Sequence, residues 1–259
     1  MTEIGAHSLS DLLSGGIFVL FLVLARVGTA FAFLPGFGDT YVNPITRLLL
    51  SLGISFMLLP VLWPIMPALP KQPSILLALY GHEVIIGLFI GSVARLLLMS
   101  LDMAGILIAT NTGLSAATSF NPSLSSAGPI VTTLLTMSAI LIVFITNMHH
   151  MLLGSLVNSY NVFKVGDILP SQDLSIAVTD IIAHAMQLGF QLAAPFVVMG
   201  LVFNVGLGLL ARLVPQMHVF LIGLPVQILV GLTILSLIIM KMIQMWLTDF
   251  QAAYMGIFH

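Results

Sequence analysis

Charge is what this sequence has least of. Only 6% of its 259 residues are Asp, Glu, Lys or Arg, against roughly 25% in an ordinary soluble domain. From Asp102 to Lys164, 61 consecutive residues carry none at all. Cysteine is absent, which excludes a disulfide framework and any thiolate metal site. The net charge of -2 and the lack of a basic run exclude the electrostatic footprint of a nucleic-acid binder. No phosphate-binding glycine loop, no Ser, His and Asp arrangement and no zinc-protease motif is present, so neither catalysis nor a cofactor is expected. The N-terminus lacks the positive start of a secretory signal, and the first hydrophobic segment is expected to stay in the mature protein.

What fills the space is apolar. Hydrophobic residues make up 59% of the chain and the mean hydropathy is +1.16, the composition of an all-α integral membrane protein or of a subunit buried in a larger assembly. The seven basic residues, Arg26, Arg47, Lys71, Arg95, Lys164, Arg212 and Lys241, are scattered and set no orientation by loop charge. A conventional multi-pass transporter generally shows a clearer bias.

Caps and prolines predict the helices. Ser8 with Asp11 three residues on reads as a capping box opening a first helix that runs to Pro35. Asn43-Pro44 opens a second helix, expected to fail by Pro60. Prolines at 60, 64, 67, 70 and 73 then predict an extended stretch rather than a span. Ser74 is expected to cap a helix reaching about Asn111, roughly 57 Å long at 1.5 Å per residue and nearly twice the thickness of a bilayer core. Its glycines 81, 87 and 91 narrow one face, and Gly87 and Gly91 have small-xxx-small spacing. Pro129 opens a further helix ending near Asn158, and a polar loop covers Lys164 to Asp173. Two long arms follow, Leu174 to Leu213 interrupted at Pro195 and Pro215 to Tyr254 interrupted at Pro225, joined by a tight turn into an antiparallel hairpin.

Inside the charge-free run, residues 113–129 read GLSAATSFNPSLSSAGP. The segment is small, hydroxylated and broken by Gly and Pro, with apolar helical sequence on both sides. At membrane depth such backbone must be buried in protein or line a wet cavity, because lipid cannot satisfy its N–H and C=O groups. It is the leading candidate for the working part, and Phe120 is its only large ring. The other candidates are charges in apolar surroundings: Arg26, Glu83, Arg95, Asp102, Asp180 and Lys241. They form no relay along one helix face, which favours structural pairing over a proton pathway. Arg95 and Asp102 lie about 10 Å apart along their axis and are expected to pair elsewhere. Asp180 and His184 are spaced i, i+4 but lack a third metal ligand. His149 and His150, adjacent on a helix, point about 100° apart and cannot chelate jointly. Most of the fifteen Met and sixteen Phe are ordinary packing.

Three stretches together resemble one family: Ala25 to Gly38 (ARVGTAFAFLPGFG), Gly113 to Pro122 (GLSAATSFNP), and Gly206 to Pro225 (GLGLLARLVPQMHVFLIGLP) with Arg212, Pro215, Gln216 and Pro225. The chain resembles the FliR/SctT-type export-gate subunits of flagellar type III secretion over nearly its whole length. That resemblance implies kinked helical hairpins assembled with FliP and FliQ into a helical cone in the bacterial inner membrane. FlhB would sit at its cytoplasmic entrance, with FlhA a further partner and unfolded flagellar proteins as cargo. It implies a FliP-like part over residues 1–165 and a FliQ-like C-terminal hairpin over 166–259. It also implies that the central segment, 113–128, plugs the closed channel, with Gly113, Leu114, Ser115, Thr118, Ser119, Phe120, Asn121 and Pro122 in the plug. Some relatives carry an aromatic at the position of Ser119. Arg26, Glu83, Arg95, Asp102, Asp180, Arg212 and Gln216 are then the candidates for subunit interfaces or buried charge. The homologous component of a virulence injectisome is the near alternative. A secondary transporter coupled through Glu83, Asp102 and Asp180 is the distant one.

Overall fold

Helices start in this chain where a polar side chain or a proline meets an apolar run. The computed structural model describes residues 9–116, 130–167, 171–213 and 219–258, and the regular structure among them is helical. Helix α1 covers Leu9–Phe33, α2 Pro44–Leu62, α3 Pro73–Asn111, α4 Ile130–Ile145, α5 Met148–Val162, α6 Ser171–Leu213 and α7 Val219–Phe258. Asn43 caps α2 as expected, its side chain accepting the Ile45 N–H at 2.9 Å with Pro44 in the first turn.

Three expectations about prolines need correction. Helix α2 does not fail at Pro60 but continues to Leu62 and into a 3-10 turn at Trp63–Ile65, and only Met66 to Gln72 is non-helical. Helices α6 and α7 run unbroken through Pro195 and Pro225. Each proline removes one backbone hydrogen bond, yet ending a helix in an apolar medium would strand several more, so the helix persists. The start of α3 is also one residue early: Pro73 lies in its first turn and Ser74 sits inside the helix rather than capping it. The predicted helix from Pro129 to Asn158 is instead two, α4 and α5, bent by 77° at Asn147, a non-glycine residue with φ of 58°.

Among the described residues, five stretches are long and apolar enough to cross a membrane: Gly15–Phe33, Pro44–Ile65, Pro73–Asn111, Gln172–Leu213 and Gly223–Ile257. Helix α2 shows what solvent surrounds them. Its buried residues include Ser51 and Ser55, whose hydroxyls bond the Leu48 and Ser51 carbonyls. Ile45, Leu49, Phe56, Met57 and Val61 face outward. That inverts a water-soluble helix and suits lipid. The protein is an integral membrane protein.

The helices pack into two compact units. One takes the chain up to Arg95 together with His149–Val178 and the residues from Tyr254 on; the other takes Leu96–Met148 and Thr179–Ala253. In the first, Phe18 meets Tyr80 edge to face and Gly87 and Gly91 seat against the backbone of Arg26 and Ala30. As numbers rise on α1 they rise on α3, so the two run parallel. A Cβ at Gly91 would come within 2.7 Å of the Ala30 carbonyl oxygen, whereas Gly81 faces open space and does not share the narrow face expected for it. In the second unit, Gly189 packs on Ser100 and Gly200 on Asn111, making α6 parallel to α3. Leu207 meets Gly223, Met199 meets Gly231 and His184 meets Asp249, so α6 and α7 form the expected antiparallel hairpin. Trp246 is fully buried and donates its indole N–H to the Leu97 carbonyl at 3.2 Å.

Candidate functional site

Two charged clusters hold the first unit. The Arg26 guanidinium, wholly buried on α1, meets Glu83 of α3 side-on: Nε donates to Oε2 at 2.6 Å and Nη2 to Oε1 at 2.8 Å. Two more of its donors go to the Ser159 hydroxyl at 3.1 Å and the Phe163 carbonyl at 3.0 Å, and the Tyr160 ring lies 3.8 Å from Cζ. Glu83 also receives His82 Nδ1 at 3.3 Å. This is the planar, bidentate geometry for which Arg and not Lys is suited. One ion pair thereby ties α1, α3 and α5.

The second cluster lies in the connection between α1 and α2. Asp39 accepts the Gly36 N–H at 2.8 Å, the Tyr41 hydroxyl at 2.9 Å and Arg95 Nη1 at 2.6 Å. Arg47 closes the loop by donating to the Phe37 and Asp39 carbonyls. Burial alone would raise the Asp39 carboxyl. The Arg95 hydrogen bond, the Gly36 and Tyr41 donors and the Arg95 charge outweigh it and hold the group below the usual carboxylate range. Burial first, and then the hydrogen bond to Asp39 and its charge, push the Tyr41 phenol up.

The second unit contains the base of the central segment. Helix α3 ends at Asn111, and Gly113 turns the chain with φ of 77°, a left-handed conformation that costs glycine nothing. Three small-residue contacts let neighbouring helices close around this point. A Cβ at Gly200 would come within 2.6 Å of Asn111 Oδ1, Gly231 meets the Thr112 methyl, and a Cβ at Gly105 would lie 2.5 Å from the Thr132 Cα. Gln227 of α7 donates its amide to the Asn111 carbonyl at 2.8 Å. On the far side of the segment, Thr136 of α4 donates to Asp102 of α3 at 2.7 Å. The contacts of Asp102 with Thr136 and of Gly105 with Thr132 make α3 and α4 antiparallel, so the segment leaves and re-enters on adjoining stems.

The predicted site residues fall in three groups. Gly113, Leu114 and Ser115 are part-buried or buried, in a short helical turn closed by the Ala116 N–H on the Gly113 carbonyl. Thr118, Ser119, Phe120, Asn121 and Pro122, with Gln216, lie outside the described residues. Of the charged candidates, Arg26 and Glu83 are brought together, while Arg95 and Asp102 go to Asp39 and Thr136 rather than to each other. Asp180, Arg212 and Lys241 are exposed. His184 pairs with Asp249 at 2.8 Å and not with Asp180. The partners Asp39, Ser159 and Gln227 carried no sequence signal beyond being polar residues near or within apolar runs.

The sequence from residue 17 to 253 matches the family of bacterial export proteins, family 1. The chain belongs to that family. Among curated relatives of this export family, the flagellar biosynthetic protein FliR of Caulobacter vibrioides is 35% identical over 242 residues, covering 93% of this chain and 96% of that protein. FliR of Bacillus subtilis is 27% identical, covering 83% of each. The Yop proteins translocation protein T of Yersinia pestis is 28% identical, covering 90% of each. The export-family match takes in most or all of each of the seven helices described, both charged clusters and the base of the central segment.

Proposed function

We propose that this chain is a non-enzymatic subunit of the flagellar type III protein export gate, lying in the bacterial inner membrane at the flagellar basal body. The observation that carries the reading is the 35% identity to a flagellar biosynthetic protein across 96% of that protein's length. The virulence-type relative at 28% supports the same architecture serving an injectisome, as the second reading. Rescue of motility in a strain lacking its own flagellar FliR separates the two, since only the flagellar subunit is expected to restore swimming.

In this reading the chain joins FliP and FliQ in a helical cone, with FlhB at the cytoplasmic entrance and FlhA beyond it, and passes unfolded flagellar proteins. Residues 1–165 take the FliP-like place and 166–259 the FliQ-like one. The central segment, 113–128, obstructs the closed passage. What supports it is the segment's composition, too polar and too broken for lipid, and its origin on a glycine-lined junction of apolar helices. Deleting Ser115 to Ser125 is expected to raise ion leakage across the membrane while the assembled complex is still recovered. A membrane as tight as before would refute the obstruction.

A further inference from the structure

We propose that the groove between α1 and α2 seats one anionic phospholipid, its phosphate on the Arg47 guanidinium and one acyl chain along Leu24, Gly28 and Leu48. The charges where the two helices connect are out of balance. Asp39 is the one carboxylate of that cluster, and Arg95 takes it at 2.6 Å. Arg47 reaches only main-chain carbonyls, that of Phe37 by Nε at 2.9 Å and that of Asp39 by Nη2 at 3.1 Å. A guanidinium has five N–H donors and stays ionised. Its other N–H groups and its charge meet no partner among the described residues. Beside an apolar medium such a cation needs an anion, and a phosphate matches its fork with two parallel hydrogen bonds.

Depth and walls both select a lipid. The span Pro44–Ile65 has 22 residues, against the roughly 20 that cross a bilayer core. Arg47 ends the first turn of that span, so its head lies at the edge of the core, where long cationic side chains reach the interface. Ile45, Leu48, Leu49 and Leu52 around it are exposed and apolar. The groove holds about 380 Å³, within the roughly 300–1,000 Å³ of ligand sites. Its two hydroxyls are engaged within their own helices, Thr29 with the Ala25 carbonyl at 2.7 Å and Ser51 with the Leu48 carbonyl at 2.9 Å. Gly28 adds no side chain, and a Cβ there would meet nothing closer than 3.9 Å, so the space is open. Beyond Arg47 the groove thus offers hydrocarbon contact and no free donor, which suits an acyl chain and not a soluble anion.

The test uses the full chain in its detergent-extracted complex, read by native mass spectrometry after incubation with dioleoyl phosphatidylglycerol, dioleoyl phosphatidylcholine or inorganic phosphate. Wild type is expected to retain one phosphatidylglycerol per copy of this chain beyond what two variants retain. Arg47→Gln removes the charge. Leu48→Trp adds bulk to the groove at a residue 58% exposed and leaves Arg47 and its loop bonds in place. Each is expected to lower retention of that lipid about tenfold, as loss of a charge-assisted hydrogen bond or of the chain's seat implies. Phosphatidylcholine, which carries no net charge, is expected to be held more weakly, and inorganic phosphate to displace neither. Retention that survives Leu48→Trp overturns the groove, and equal retention of the two lipids overturns the role of charge. Displacement by phosphate at equal concentration would make this a plain anion site. A fall in complex yield with Arg47→Gln at an unchanged lipid count would assign Arg47 to a carboxylate on another chain and sink the proposal. If Arg47→Gln does not accumulate, Leu48→Trp decides alone.

Discussion

The two units of this molecule share one packing device, backbone contact at glycines such as Gly87 and Gly91 in the first and Gly200 and Gly231 in the second, and differ in what they add to it. The first clamps its helices with charge: Arg26 on Glu83, and Arg95 on Asp39. The second adds neutral donors: where Gly105, Gly189, Gly200 and Gly231 let backbones touch, Trp246 and Gln227 supply hydrogen bonds to the Leu97 and Asn111 carbonyls. Lipid gives helices no hydrophobic reason to associate, so close van der Waals contact or polar pairing must do it. A buried bidentate pair is satisfied in one arrangement only, whereas glycine faces tolerate small slides. The stems of the central segment, the ends of α3 and α4, lie in the unit built from the second kind of contact.

That contrast can be broken first at Glu83. Glu83→Gln leaves the buried Arg26 without its counter-charge and is expected to destabilise the protein by about 3–5 kcal/mol. Thermal melting in detergent would show it, and Arg26→Met combined with Glu83→Leu is expected to recover most of the loss. Wild-type melting of Glu83→Gln alone would mean that the first unit is not charge-clamped.

Next comes the glycine side. Gly105→Val forces a branched Cβ into the Thr132 backbone and is expected to cost about 1–3 kcal/mol as overpacking. Gly81→Ala, facing open space, is expected to cost nothing and to gain slightly in helix propensity. Equal effects of the two on complex yield would remove close contact as the basis of the second unit.

The smallest effect sharpens the charged side. The folded Asp39 carboxyl lies below its unfolded value of about 3.9. Its contribution is therefore complete above about pH 4 and is lost as pH falls through the folded value. Arg95 is 40% exposed, so water screens the pair and about 1 kcal/mol is at stake. Amide exchange of residues 36–47 is expected to accelerate on acidification in the native protein and to show no such step in Asp39→Asn.

Much of the fold was legible because helix starts are local. Asn43-Pro44, the polar stretch after Lys164 and the long hairpin all follow from caps, breaks and apolar runs. The proline interruptions were misread because rules from water treat an unmade hydrogen bond as cheap, and lipid does not. Asn147 was missed because one left-handed residue leaves no mark on hydropathy. Pairings were the least legible part. Arg26 and Glu83 were singled out as charges in apolar sequence, but 57 residues separate them and nothing local names one for the other. Gln227 was passed over because a carboxamide carries no charge to flag it, though it stands two residues beyond the Pro225 that closes the third motif.

The bend at Asn147 lets two short helices make up one pass through the bilayer. Its arms, of 16 and 15 residues, are each shorter than the roughly 20 that a bilayer core demands. Because α6 runs parallel to α3, the chain must return to the side on which α3 starts before α6 begins, so the bent pair traverses as one broken element, the chain makes six passes and Phe258 emerges on the face where Leu9 began. A single left-handed residue therefore joins two arms, each too short alone, into one crossing.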